Sequence, residues 1–124
     1  MNWSATGAAA LALGVIIGAF GAHGLRDRLD AYSTSVYEKA VIYHFFHALG
    51  LLMVSLMPKL GYLSARQAGW VCSLLLAGIV LFSGSLYVLA VTRAPLWGAV
   101  TPVGGVSFIA AWLTLAWMLL LNQK

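Results

Sequence analysis

The chain has 124 residues, of which 62% are hydrophobic and only 8% are charged, and its formal net charge is +4. Soluble domains carry about 25% charged residues, so most of this surface is not built to face water. The basic residues form no patch of the size and aromatic content that nucleic acids require, and we expect no nucleic-acid partner. The single cysteine, Cys72, excludes a disulfide within the chain and suits a small packing residue.

Four apolar segments are long enough to cross a membrane as helices. About 20 residues, at 1.5 Å each, cover roughly 30 Å of hydrocarbon. The sequence predicts spans at about 3–22, 36–57, 65–91 and 102–121, within a single membrane domain of residues 1–124. The first span has no basic residue ahead of it and exceeds the apolar region of a signal peptide, so we expect it to be retained.

Capping signals mark the expected helix ends. Gly24 and Gly61 suit left-handed C-caps after the first and second spans. The S-x-x-E pattern at 35–38 and the S-x-x-Q pattern at 64–67 have capping-box spacing. The Thr-Pro dipeptide at 101–102 places an N-cap residue before proline, which predicts the start of the fourth span.

The connection between the first two spans reads LRDRLDAYSTSV. Its apolar residues Leu25, Leu29, Tyr32 and Val36 recur at helical spacing, and charged residues occupy the other faces. This pattern predicts a short amphipathic segment at the membrane surface, with a plain polar loop as the alternative.

The basic residues hardly distinguish the two membrane faces. Three lie on the face with the chain termini and four on the other: Lys59, Arg66 and Lys124, against Arg26, Arg28, Lys39 and Arg93. We expect a multi-pass protein of a bacterial inner membrane with both termini in the cytoplasm.

Small residues recur at intervals that allow membrane helices to approach closely. Those expected to pack are Gly14, Gly18 and Gly21 in the first span, with Gly69 and Ser73 in the third. With short connections, they predict an all-α, antiparallel four-helix bundle. The alternative is that these faces bind another protein or a second copy of the chain.

Four strings, taken together, are more specific than composition. They are GAFGAHG at 18–24, YHFFHAL at 43–49, LFSGSLYVLA at 81–90 and TPVGGVSF at 101–108. In this order they resemble a family of small bacterial inner-membrane proteins, domain of unknown function 423. A eukaryotic relative of that family is called transmembrane protein 256.

The resemblance implies four membrane helices and no established activity. The recurring pattern of the family matches ten residues here: His23, Tyr43, His47, Ser83, Gly84, Ser85, Tyr87, Pro102, Gly104 and Gly105. His44 departs from the pattern, because a Gln often stands there in the family. The resemblance therefore favours His23 and His47, rather than His44, as site residues.

Polar residues inside membrane spans are costly and usually face a bundle interior or a cavity. We expect a polar pocket in one half of the bundle, formed by His23, Tyr43, His47, Ser83, Ser85, Tyr87, Thr101, Gly104 and Gly105. The free N–H groups of a helix beginning at Thr101 would suit an anion or a lipid head group. The alternative is that these groups satisfy one another by hydrogen bonding.

The chain carries none of the patterns HExxH, GxSxG, CxxC or a P-loop, so we expect no enzyme activity, no metal and no cofactor. The sequence favours an accessory or scaffold subunit that binds membrane lipid, a membrane-protein partner or its own copy. A protein that binds a metal, haem or a small ligand through His23 and His47 is the second hypothesis. A minimal transporter that works as an oligomer is the third.

Overall fold

The computed structural model describes residues 1–123, which form helices and turns without a strand within that range. The elements are α1 (Trp3–His23), α2 (Ala31–Leu56), α3 (Ala65–Gly78), a π-helical turn (Ile79–Ser83), α4 (Gly84–Thr92) and α5 (Pro95–Leu121). The third span comprises α3, the π turn and α4. Four segments are therefore long and apolar enough to cross a membrane, and the expected all-α membrane architecture is confirmed.

Each span packs antiparallel to the span before it. The hydroxyls of Ser4 and Ser55 lie 2.9 Å apart at one end of the α1–α2 pair. At the other end, Tyr37 donates a hydrogen bond to the carbonyl of Ile17. The turns at 24–30 and 93–94 therefore share one membrane face, which we call the loop face. The N-terminus and the 57–64 connection lie on the opposite, terminal face.

Helix α2 begins five residues before the expected start of the second span. Asp30 is its N-cap, and its carboxylate accepts a 2.8 Å hydrogen bond from the Ser33 N–H. The expected capping box at 35–38 is therefore wrong. The amphipathic segment is not a separate surface helix, because residues 24–29 form turns and Ala31 already belongs to α2. A carboxylate at the positive end of the helix stabilises this earlier start.

Helix α5 begins seven residues before the expected start of the fourth span. Pro95 occupies the first turn, where a missing N–H costs nothing, and Pro102 lies inside the helix. The predicted helix start at Thr101 is therefore wrong, and no free N–H groups are available there for an anion. The predicted left-handed cap at Gly24 is also wrong (φ −79°). Gly61 has positive φ (+80°), but it lies in the turns that follow α2, whose C-cap is Met57.

The third and fourth spans approach most closely at the π turn. A Cβ on Gly104 would lie 2.3 Å from the backbone nitrogen of Phe82, and a Cβ on Gly78 would lie 2.3 Å from the Phe108 ring. The main core fills the half of the bundle toward the terminal face and includes the fully buried Cys72. Helix α1 is peripheral, since only Gly7 and Gly14 are buried in it.

Candidate functional site

A buried histidine joins three helices near the middle of the bundle. His44 is 1% exposed, and its Nε2 lies 2.8 Å from the carbonyl of Ala10 in α1. Its Nδ1 lies 2.8 Å from the hydroxyl of Tyr87 in α4. A carbonyl accepts only, so Nε2 carries the proton, and in the neutral ring the Tyr87 hydroxyl donates to Nδ1. Both ring nitrogens of His44 are therefore satisfied.

His47 lies one turn further along α2 in a different environment. Its Nδ1–H donates to the carbonyl of Tyr43 at 2.7 Å. The imidazole stacks on Phe108 with a centroid separation of 3.5 Å, and Trp112 lies 5.8 Å away. Tyr43 packs on Phe82 in the π turn at 4.5 Å. His47 is thus held by aromatic stacking and a local hydrogen bond.

Serine and threonine hydroxyls lie on the other side of the π turn. The hydroxyls of Ser85 and Thr101 lie 2.6 Å apart, and Ser85 is also 2.9 Å from the Phe82 carbonyl. Gly105 faces the Phe82 ring, and a Cβ added to Gly105 would lie 3.7 Å from that ring, an ordinary contact distance. Ser83 is fully buried, and its hydroxyl has no hydrogen-bond partner within residues 1–123.

The structure therefore brings eight of the nine predicted pocket residues close to the π turn or to His44. They divide into a His44–Tyr87 pair, the aromatic group of Tyr43 and His47, the Ser85–Thr101 pair with Gly104 and Gly105 beside it, and Ser83 by itself in the π turn. His23 does not join them. The sequence-based prediction named His44 but set it aside in favour of His23 and His47, because a Gln often stands at that position in the family. The signal was present in the buried stripe of α2, where His44 follows Ala40 and precedes Ala48 and Leu51.

His23 lies instead in a groove at the loop face, which we call the interfacial groove. Its volume is about 500 Å³, within the range of about 300–1,000 Å³ usual for ligand pockets. The walls come from the end of α1, the following turn and the start of α2, and include Gly18, Ala22, His23, Leu25, Arg26, Leu29, Thr34, Glu38, Val41 and Ile42. Of these residues the predicted pocket contained only His23; Arg26 was assigned to this membrane face and Glu38 to a capping box.

Some charged residues near the groove form an ion pair and others do not. Asp30 pairs with Arg93 across the loop face, and this is the one ion pair found between residues 1 and 123. The backbone hydrogen bond from Ser33 lowers the pKa of Asp30, and the charge of Arg93 lowers it further. Arg93 is therefore engaged outside the groove. Arg26 and Glu38 line the groove without an ion-pair partner in the described part of the chain.

The predicted packing residues lie in two settings. Gly14, Gly18 and Gly21 face α2, where added Cβ atoms would meet Phe45 at 3.3 Å, Val41 at 3.5 Å and Tyr37 at 2.2 Å respectively. Gly69 faces only the Trp3 indole, at 3.6 Å, and Ser73 is exposed and bonds back to the Gly69 carbonyl at 2.7 Å. The first-span glycines thus permit the α1–α2 contact, while Ser73 faces outward.

The three histidines do not converge on a common centre. Between residues 1 and 123, no three His, Cys, Asp or Glu side chains are grouped closely enough to hold a metal ion. His23 is exposed at the end of α1, whereas His47 is buried beside Phe108. The geometry therefore lends no support to a site shared by His23 and His47.

Four apolar helices, a polar cluster at a π turn and a groove at one face define a multi-span helical membrane protein. The chain belongs to the family described as Protein of unknown function (DUF423), whose model matches residues 17–105, so the resemblance read from the sequence is confirmed. The description of that family gives no activity.

Named relatives are membrane proteins of similar length. A UPF0382 membrane protein of Staphylococcus epidermidis is 51% identical over 98 residues, covering 79% of this chain and 78% of the relative. The UPF0382 membrane protein YwdK of Bacillus subtilis is 52% identical over 103 residues, covering 82% and 81%. A Staphylococcus haemolyticus relative is 47% identical over 109 residues, covering 88% and 87%. No solved structure matches the chain.

Proposed function

We propose that this protein is a non-enzymatic accessory protein of the bacterial cell membrane that binds a membrane lipid in the interfacial groove. The observation that carries the proposal is the combination, in one groove at the loop face, of an unpaired guanidinium and apolar walls. A guanidinium donates paired hydrogen bonds to phosphate oxygens, and apolar walls suit acyl chains.

The groove has the polarity gradient of a lipid. Arg26 lies in the turn outside the helices, at the level expected for a phosphate. Val41 and Ile42 lie about three turns, or about 15 Å, into α2, at the level expected for acyl chains. Gly18 and Ala22 add little side-chain bulk to the α1 wall, so an acyl chain can lie along the open side of the groove against Val41 and Ile42.

The proposed accessory role also includes binding to another membrane protein or to a second copy of the chain. The exposed Ser73 side of α3 is the surface proposed for it, because a small residue there permits close helix contact. Native mass spectrometry of the protein in mild detergent measures this directly. A strict monomer without a bound protein would remove both the scaffold role and the oligomeric transporter.

The lipid proposal is tested by filling the groove. Ala22→Trp places a large ring in the groove, whereas Ala19→Trp places the same ring at the same end of α1 on an exposed position outside the groove lining. We expect phospholipid to copurify with the wild type and with Ala19→Trp, and to be lost from Ala22→Trp. Equal lipid retention in the two variants would contradict the proposal, provided that both keep the helical circular dichroism of the wild type.

A further inference from the structure

The groove carries charges of both signs at separate positions. Arg26 approaches from the turn, and Glu38 lies on α2, where Thr34 is its neighbour one turn earlier on the same helix face. Neither charge has an ion-pair partner between residues 1 and 123. A ligand that enters the groove therefore meets the guanidinium of Arg26 and the carboxylate of Glu38. A purely anionic ligand can pair with Arg26 but leaves Glu38 without a partner.

We propose that the interfacial groove selects a zwitterionic aminophospholipid, with its phosphate on Arg26 and its primary ammonium on Glu38. This inference rests on the proposed lipid-binding function and specifies the head group. The planar guanidinium donates paired hydrogen bonds to phosphate oxygens. The ammonium supplies three N–H donors, which a carboxylate accepts.

Other head groups satisfy only part of this site. Phosphatidylcholine carries the same charges, but its trimethylammonium has no N–H to donate to Glu38. Phosphatidylglycerol offers the phosphate to Arg26 but no cation to Glu38, and the repulsion between its negative charge and the carboxylate disfavours binding. Free phosphoethanolamine esters carry the right charges but bury no acyl chain against Val41 and Ile42. The site is therefore expected to bind a lipid more tightly than a soluble ester with the same head group.

The chain offers matched controls for both charges. Arg28 lies in the same turn as Arg26, and Asp27 is a second carboxylate there, but neither lines the groove. Full-length protein in a non-denaturing detergent is titrated with phosphatidylethanolamine, phosphatidylcholine or phosphatidylglycerol of identical acyl chains, and bound lipid is counted by native mass spectrometry. Soluble glycerophosphoethanolamine is added as a competitor in a separate titration.

We expect phosphatidylethanolamine to bind about tenfold more tightly than the other two lipids, the effect of one charge-assisted hydrogen bond. Glu38→Gln should abolish this preference, while Arg26→Gln should weaken all three lipids about tenfold. Asp27→Asn and Arg28→Gln should leave every affinity within about twofold of the wild type. Competition by glycerophosphoethanolamine should require far higher concentrations than the lipid.

Four results would overturn the inference. Phosphatidylglycerol binding as tightly as phosphatidylethanolamine, with no effect of Glu38→Gln, would remove the head-group assignment and leave lipid binding intact. Glycerophosphoethanolamine competing as well as the lipid would make the ligand a soluble ester. Failure of all three lipids to bind, or equal effects of Arg26→Gln and Arg28→Gln, would remove the proposed function together with the inference.

Discussion

The hydrogen bond between Tyr87 and His44 gives the sharpest test of the bundle interior. Tyr87→Phe removes the hydroxyl that donates to Nδ1 at 2.8 Å and keeps the ring in place. The His44 acceptor then stays buried without a donor. Interhelical hydrogen bonds in membrane proteins average about 0.6 kcal/mol and reach about 1.7 kcal/mol. We expect Tyr87→Phe to lower the free energy of unfolding by an amount in that interval. The loss should lie toward the upper end because His44 is buried.

The control substitution, at Tyr43, and the coupling partner, His44, both lie on α2. Tyr43→Phe deletes a hydroxyl from a residue that is 42% exposed and packs through its ring, so it should be neutral. In a His44→Leu background the hydrogen bond is already absent, and Tyr87→Phe should cost nothing or become favourable. The double-mutant cycle should therefore give a coupling energy of about 1 kcal/mol.

Unfolding in mixed micelles with a rising mole fraction of sodium dodecyl sulfate, followed by tryptophan fluorescence, measures all five proteins: the wild type, the three single variants and the double variant. Additive effects of His44→Leu and Tyr87→Phe would refute the direct hydrogen bond. Equal losses for Tyr87→Phe and Tyr43→Phe would show that any tyrosine hydroxyl matters equally and would refute the special role of the buried pair.

Three further predictions concern other parts of the molecule. Gly104→Ala, whose methyl meets the Phe82 backbone, should cost about 1–3 kcal/mol in the same assay, whereas Gly105→Ala, with 3.7 Å of space, should be neutral; a reversed order contradicts the packing. Asp30→Ala should lower the thermal midpoint at pH 7. Because folding lowers the pKa of Asp30, its contribution is present above the ordinary value of 3.8 and disappears as the pH falls through the lower folded value; a deficit unchanged at pH 2 would contradict this. Both termini should be cytoplasmic, so that a C-terminal green fluorescent protein fluoresces and a C-terminal alkaline phosphatase stays inactive, and the opposite pair of results would reverse the orientation.

Much of the fold was predictable because a membrane imposes strong local rules. A helix satisfies its own backbone hydrogen bonds in hydrocarbon, so each long apolar run had to be a helix whatever its neighbours. The third span was expected at 65–91 and is found at Ala65–Thr92, including the Ser64–Gln67 capping box. Short connections then required neighbouring spans to run antiparallel. The similar depth of Tyr43, Ser83 and Tyr87 followed from their positions along the spans.

Helix starts and side-chain partners needed the folded chain. Several caps competed before the second and fourth spans, and Asp30 and Pro95 prevail over the equally regular signals at 35–38 and 101–102. The π turn at Ile79–Ser83 has no sequence signature, and it exists where α5 comes within contact of the Phe82 backbone.

The sequence alone determined that four helices cross a membrane, because hydropathy and backbone hydrogen bonding are local properties. Only the tertiary structure decided which histidine is central. His44 forms hydrogen bonds with Ala10 on α1 and with Tyr87 on α4, which lie 34 and 43 residues away along the chain. His23 is turned away from that cluster into a groove with Arg26 and Glu38. Such pairings depend on helix rotation and on the path of the turn after α1, and both are set by packing between spans.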